Sequence, residues 1–151
     1  MPRVDTYKCN TDGASKGNPG PSSSAFCIRD GHGNLLHAEG KMIGVSNNLI
    51  AEIVAMRLGL EYCKYHNLFP LIMETDSLAV KNMVEGAWHI PWEATMEIRR
   101  IQVLKEGLEV AIEHTLREGN KLADFMANIV FSFAGTDSIS YNDFQALPEA
   151  D

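Results

Sequence analysis

The chain has 151 residues, 45% hydrophobic and 22% charged, with 12 glycines and 6 prolines. That suits one domain with one core and excludes disorder, collagen-like repeats and coiled coil. Thirteen basic residues against 20 acidic ones leave a net charge of −7 with histidine neutral, which counts against gripping nucleic acid by bulk positive charge.

Cys9, Cys27 and Cys63 are widely spaced and odd in number. They form neither a disulfide framework nor a zinc motif, and read as buried free thiols in a reducing compartment. The N-terminus lacks the apolar core of a secretory signal, and no apolar run approaches the ~20 residues of a membrane helix. A soluble intracellular protein is expected.

Tyr7 to Thr11 reads as a short strand ending at Asp12-Gly13, and the breaker-rich stretch Gly13 to Pro21 reads as a loop. Ser24 to Arg29 is a second strand, Asp30 to Asn34 a hairpin turn, and Leu35 to Ile43 a third strand. The period then becomes helical. Ala51, Ala55, Leu58 and Tyr62 form a stripe widened by Ile50 and Val54, with Ser46 or Asn47 as the cap. Leu71-Ile72-Met73 is continuously apolar, as suits a central strand covered on both faces.

Ser77 to Val84 predicts a short helix stopping at Gly86, and Trp92 to Lys105 a longer one broken near Gly107. Leu108 to Leu116 alternates, with Leu108, Val110, Ile112 and His114 on one face, and predicts a fifth strand. Asn120 caps a last helix with the stripe Leu122, Met126, Ile129 and Phe133. The division is a leader over 1–5, a domain over 6–133 and an acidic tail over 134–151. The tail carries four acids and no base, which leaves −3 on the rest. The order β-β-β-α-β-α-α-β-α implies an α/β fold: a mixed five-stranded sheet, with a three-strand antiparallel meander and two parallel strands, flanked by helices.

Four acids fall at element junctions: Asp12, Glu52, Asp76 and Asp124. If the first and fourth strands are neighbours, Asp12 and Asp76 point into one crevice at the carboxyl ends of parallel strands. Glu52 and Asp124 lie near helix N-termini, where the dipole favours their charge. Convergent carboxylates suit a hard cation such as Mg²⁺, which takes oxygen ligands. Two such ions can activate water at a phosphodiester. Position alone does not decide this, because twenty acids guarantee some at junctions and capping explains a carboxylate in a first helical turn.

The local strings go further. Thr11-Asp12-Gly13-Ala14-Ser15-Lys16-Gly17-Asn18-Pro19-Gly20 resembles the first motif of type 1 ribonuclease H domains. Asn47 to Glu52 resembles the second, Glu74 to Ser77 the third, and His114 to Asp124 the last. The resemblance covers roughly Tyr7 to Phe133. Its style is that of plant ribonuclease H-like domains related to non-LTR retrotransposon reverse transcriptases, whose ending Asp143 to Pro148 also resembles.

The resemblance implies a ribonuclease H-like sheet and a metal-dependent endonuclease that hydrolyses the RNA strand of RNA–DNA hybrids. Two Mg²⁺ ions, with Mn²⁺ as an alternative, would be held by Asp12, Glu52, Asp76 and Asp124. His114 stands where the family's mobile catalytic histidine stands, and an ordinary imidazole exchanges protons near neutrality. Gly13, Asn18, Asn48, Ser77 and Asn120 are the implied nucleic-acid contacts, although capping explains Ser77 and Asn120 as well. Asn48 lies one helical turn before Glu52, so the two share a face. Hybrid choice would rest on RNA 2′-hydroxyls rather than base sequence.

Some branches carry a basic handle between the third and fourth motifs. Here that stretch is short, with Lys81, Arg99, Arg100 and Lys105 as its bases, so weak and salt-sensitive hybrid binding is expected. Trp88 and Trp92 are read as packing the adjoining helices against the sheet, with base stacking as the alternative. The expected state is a monomer with no membrane association. The competing functions are a domesticated non-catalytic binding module, a retroelement fragment acting beside a reverse transcriptase, and a different nuclease on the same fold.

Overall fold

A computed structural model describes residues 5–115, 121–132 and 138–140. The strands are β1 (Tyr7–Ser15), β2 (Gly20–Arg29), β3 (Leu35–Ser46), β4 (Leu71–Thr75), β5 (Val110–His114) and β6 (Ser138–Ser140). The helices are α1 (Asn48–Tyr65), α2 (Leu78–Val84), α3 (Thr95–Lys105) and α4 (Lys121–Ile129). The sheet order is β5-β4-β1-β2-β3-β6. β1, β2 and β3 form the expected antiparallel meander, and β4 and β5 run parallel to β1. The expected five strands are present. A sixth short strand, from within the stretch read as a tail, pairs antiparallel with β3.

The hairpin is longer than the sequence reading allowed. Gly13-Ala14-Ser15 and Gly20-Pro21, read as loop, and Ser22-Ser23, assigned to neither loop nor strand, belong to β1 and β2, with Ser15 opposite Ser22. Breaker-rich composition misled because these strand ends are buried by small polar residues instead of large apolar ones. Ser22, Ser23 and Ser24 are buried. The Ser23 hydroxyl donates to the Ala127 carbonyl of α4, and the Ser24 hydroxyl donates to the Ala51 carbonyl of α1 at 2.6 Å. The turn is confined to Lys16–Pro19 and closed by Lys16 N–H donating to the Pro21 carbonyl at 2.8 Å.

Alternation along the strands feeds two layers. Cys9, Phe26, Ile28, Met73 and Ile112 face α1, α2 and α3, and form the larger core with Ile53, Met56, Leu60, Ile98 and Ile101. Ala25, Cys27 and Ala38 face α4, where they meet Met126, Ala127 and Val130. All three cysteines are buried and free, as expected. Burial on α1 runs wider than the predicted stripe, taking in Ile53, Met56, Leu60 and Cys63, because the helix lies between the sheet and α3. Trp88 and Trp92 correct their expectation. They are 49% and 86% exposed, since the chain between Gly86 and Ala94 runs outside the core rather than under it. No described helix is long and apolar enough to cross a membrane. The Asn120 cap, Phe133 and most of the stretch read as an acidic tail lie outside the described residues.

Candidate active site

Parallel pairing brings Asp12, inside β1, level with the ends of β4 and β5. Thr11 pairs with Thr75, and Thr75 with His114, so Asp12 and Asp76 follow directly on adjacent strands. Glu52 arrives from the first turns of α1. A close approach sets its position: a Cβ on Gly13 would stand 2.4 Å from Ala51 C and 2.5 Å from Glu52 N. Only a residue without a side chain lets β1 run this close to α1. The Ser24 bond to Ala51 holds the same turn from the next strand. Asn47 is the cap, its side-chain oxygen accepting from Ile50 N–H at 2.9 Å, which resolves the choice between Ser46 and Asn47.

One carboxylate oxygen from each of Asp12, Glu52 and Asp76 lies within 4.8 Å of the others. Asp124, in the first turn of α4, is outside that group of three but close enough to Asp12 to raise its carboxyl. Asp12 is the most buried of the four at 6% exposure. Burial pushes its carboxyl up to about 8, helped by the Asp124 hydrogen bond and the Asp76 charge. Asp76 Oδ1 is buried with no hydrogen-bond partner among the described residues.

These observations fit a divalent cation. The donors are all carboxylate oxygens, one of them lacks any donor, and mutual repulsion is relieved by positive charge. The acids therefore form a candidate metal centre.

His114 ends β5 at the rim, exposed, with Nε2 3.2 Å from the Asp76 carbonyl oxygen. A carbonyl only accepts, so Nε2 carries the proton in this contact. Asn18 and Asn48 are exposed and joined, Asn48 N–H donating to Asn18 Oδ1 at 3.1 Å. This places the β1–β2 turn beside the start of α1. Ser77 acts as a cap, its hydroxyl accepting from Val80 N–H at 3.2 Å. Gly13 has the packing role described above. The sequence reading offered no role for Ser23 and Ser24. The available signal was a run of three serines in a strand, a pattern that needs buried acceptors.

Residues 10–130 match the family described as reverse transcriptase-like. A candidate ribonuclease H protein of Arabidopsis thaliana is 30% identical over 99% of this chain, which spans 24% of that protein's length. The solved ribonuclease H1 of the halophilic archaeon Halobacterium salinarum NRC-1 is 29% identical, with a TM-score of 0.80 over 84% of this chain and 98% of its own. A ribonuclease H1 from a compost metagenome, solved in complex with an RNA/DNA hybrid, is 26% identical, with a TM-score of 0.75 over 81% of this chain and 94% of its own. With the strand order and junction acids already in hand, the match over most of the chain is decisive: it belongs to the reverse transcriptase-like family and has the type 1 ribonuclease H fold.

Proposed function

We propose that the domain is a ribonuclease H that hydrolyses the RNA strand of RNA–DNA hybrids. The carrying observation is the convergence of Asp12, Glu52 and Asp76 within 4.8 Å, with Asp124 near enough to act on Asp12. Support for the substrate is the likeness to a ribonuclease H1 solved with a hybrid. Two Mg²⁺ ions, or Mn²⁺, held by these four acids would supply an activated water and neutralise charge at the scissile phosphodiester. In-line attack of water on phosphorus breaks the P–O3′ bond, leaving a 3′-hydroxyl and a 5′-phosphate.

The chain's own residues supply position and proton transfer. His114, with Nε2–H committed to the Asp76 carbonyl, keeps Nδ1 as an acceptor, suited to taking a proton from water or escorting product. Asn18 and Asn48 stand on the approach to Glu52 and suit contacts to RNA 2′-hydroxyls. Gly13 and Ser77 complete the proposed contact surface, through backbone groups at Gly13 and the hydroxyl of Ser77, and Asn120 is proposed as a further contact on the resemblance alone.

The test is cleavage of a labelled hybrid with Mg²⁺, Mn²⁺ or chelator, beside Asp76→Asn. Metal-dependent cutting of the RNA strand is expected. The variant should lose about 4 kcal/mol of barrier lowering, roughly a thousandfold in rate. Equal cleavage by the variant, or cleavage in chelator, refutes the assignment. A second reading, in which a reverse transcriptase beside this domain delivers the hybrid, is supported by the family match. It predicts weak activity of the isolated domain at physiological salt that recovers at low salt.

A further inference from the structure

On the α4 side of the sheet a cleft of about 600 Å³ opens between β1, β4, the β2–β3 turn and the start of α4. None of the four proposed metal ligands is among its lining residues. Its floor is Thr6, just before β1, with Lys8 and Asn10 of β1 and Glu74 of β4, and its walls include Arg29 and Lys121.

Among the described residues three cations and two carboxylates border the cleft, and the two carboxylates are already engaged. Glu74 accepts from Asn10 Nδ2 at 3.3 Å and lies 3.9 Å from Lys8 Nζ. Asp30 accepts from the backbone N–H of His32 and Asn34, each at 2.9 Å, and from the Asn34 amide at 3.1 Å. Those bonds tie Asp30 to its own turn.

Arg29 and Lys121 remain. Among the described residues the Arg29 side chain has one hydrogen bond, Nη1 donating to Cys27 Sγ at 3.4 Å, which leaves most of the guanidinium N–H donors unspent. Lys121 opens α4 at the positive end of the helix dipole. A guanidinium fork and an ammonium facing one cleft match a dianionic oxyanion, and the space exceeds a bare phosphate. The volume lies in the range of small-molecule sites.

We propose that this cleft binds a phosphate monoester the size of a nucleoside monophosphate, its phosphate between Arg29 and Lys121. The site is independent of the ribonuclease reading.

The test is calorimetric titration of the whole chain in EDTA with inorganic phosphate, adenosine 5′-monophosphate and adenosine. Both phosphates should bind saturably, on the order of millimolar, and adenosine should not. Arg29→Met and Lys121→Met should each weaken binding at least tenfold. Lys121 is exposed, so its variant serves even where loss of the Cys27 contact disturbs folding. Asp76→Asn, which removes the proposed ribonuclease activity, should bind phosphate as the unmodified chain does. Adenosine binding as tightly as its monophosphate overturns the proposal, as does unchanged phosphate affinity in both cation variants. Displacement of the monophosphate by a short RNA–DNA hybrid in the same buffer would assign the cleft to backbone phosphodiesters and overturn it too.

Discussion

Gly13→Ala is a one-methyl perturbation whose size can be worked from the structure. The new carbon would stand 2.4 Å from Ala51 C, 2.5 Å from Glu52 N and 2.7 Å from Ala51 Cβ. Carbon atoms rest at about 3.5–4.0 Å, so roughly 1 Å must open between β1 and α1. Two of the three contacted atoms are backbone, which cannot rotate away. Overpacking costs typically 1–3 kcal/mol, and the upper end, about 3 kcal/mol, is expected here. For a chain of this size that is a fall in Tm of about 6–12 °C. The displacement also carries the Glu52 backbone away from Asp12 and Asp76, and a misplacement of about 1 Å at a catalytic site costs about a hundredfold in rate. Thermal melting without metal, metal titration and hybrid cleavage form the assay set. An unchanged Tm with full activity would refute the close approach. An unchanged Tm with weaker hybrid binding alone would make Gly13 a substrate contact instead of a packing device.

Three further outcomes are expected. Asp12 has its carboxyl at about 8 against an ordinary 3.8, so the folded chain binds a proton that the unfolded chain releases. Without metal, that contribution to stability is fully present below about pH 4 and is lost as pH rises towards 8, at a ceiling of about 1.4 kcal/mol per unit. Metal must displace the same proton, so apparent Mg²⁺ affinity should rise about tenfold per pH unit and level near pH 8, and a flat calorimetric profile would contradict it. His114→Ala should lower kcat by about a hundredfold with little change in KM. Because His114 is exposed, Tm should hold, and a large loss of Tm would make the residue structural. Asn47→Ala removes the α1 cap and should cost about 1 kcal/mol, or about 2–4 °C, with Asn47→Ser restoring most of it.

The sequence by itself determined the order of the strands and α-helices through α4, the four junction acids and the resemblance that joined them. Hydrophobic period separated α1 from its flanking strands, and turn chemistry marked Asp30 to Asn34. Both signals are local, set within a few residues by backbone preference and side-chain spacing. It could not decide whether Asp12 and Asp76 were neighbours, because pairing of β1 with β4 is a contact across some sixty residues of chain. It mistook both ends of the first hairpin for loop. Ser23 and Ser24, just beyond the stretch read as loop, are buried where α4 and α1 present carbonyl acceptors to them, a fact of the tertiary structure. It placed Trp88 and Trp92 in a core that, in the folded chain, other residues fill.

The opening charge of −7 also changes meaning once position is known. Asp12, Glu52 and Asp76 are a concentrated cluster rather than a diffuse acidic surface, and burial drives the Asp12 carboxyl towards its protonated form. Composition counts charges, but only the fold sets the distance and solvent between them, and those two quantities decide whether acids repel a nucleic acid or hold the cation that attracts it.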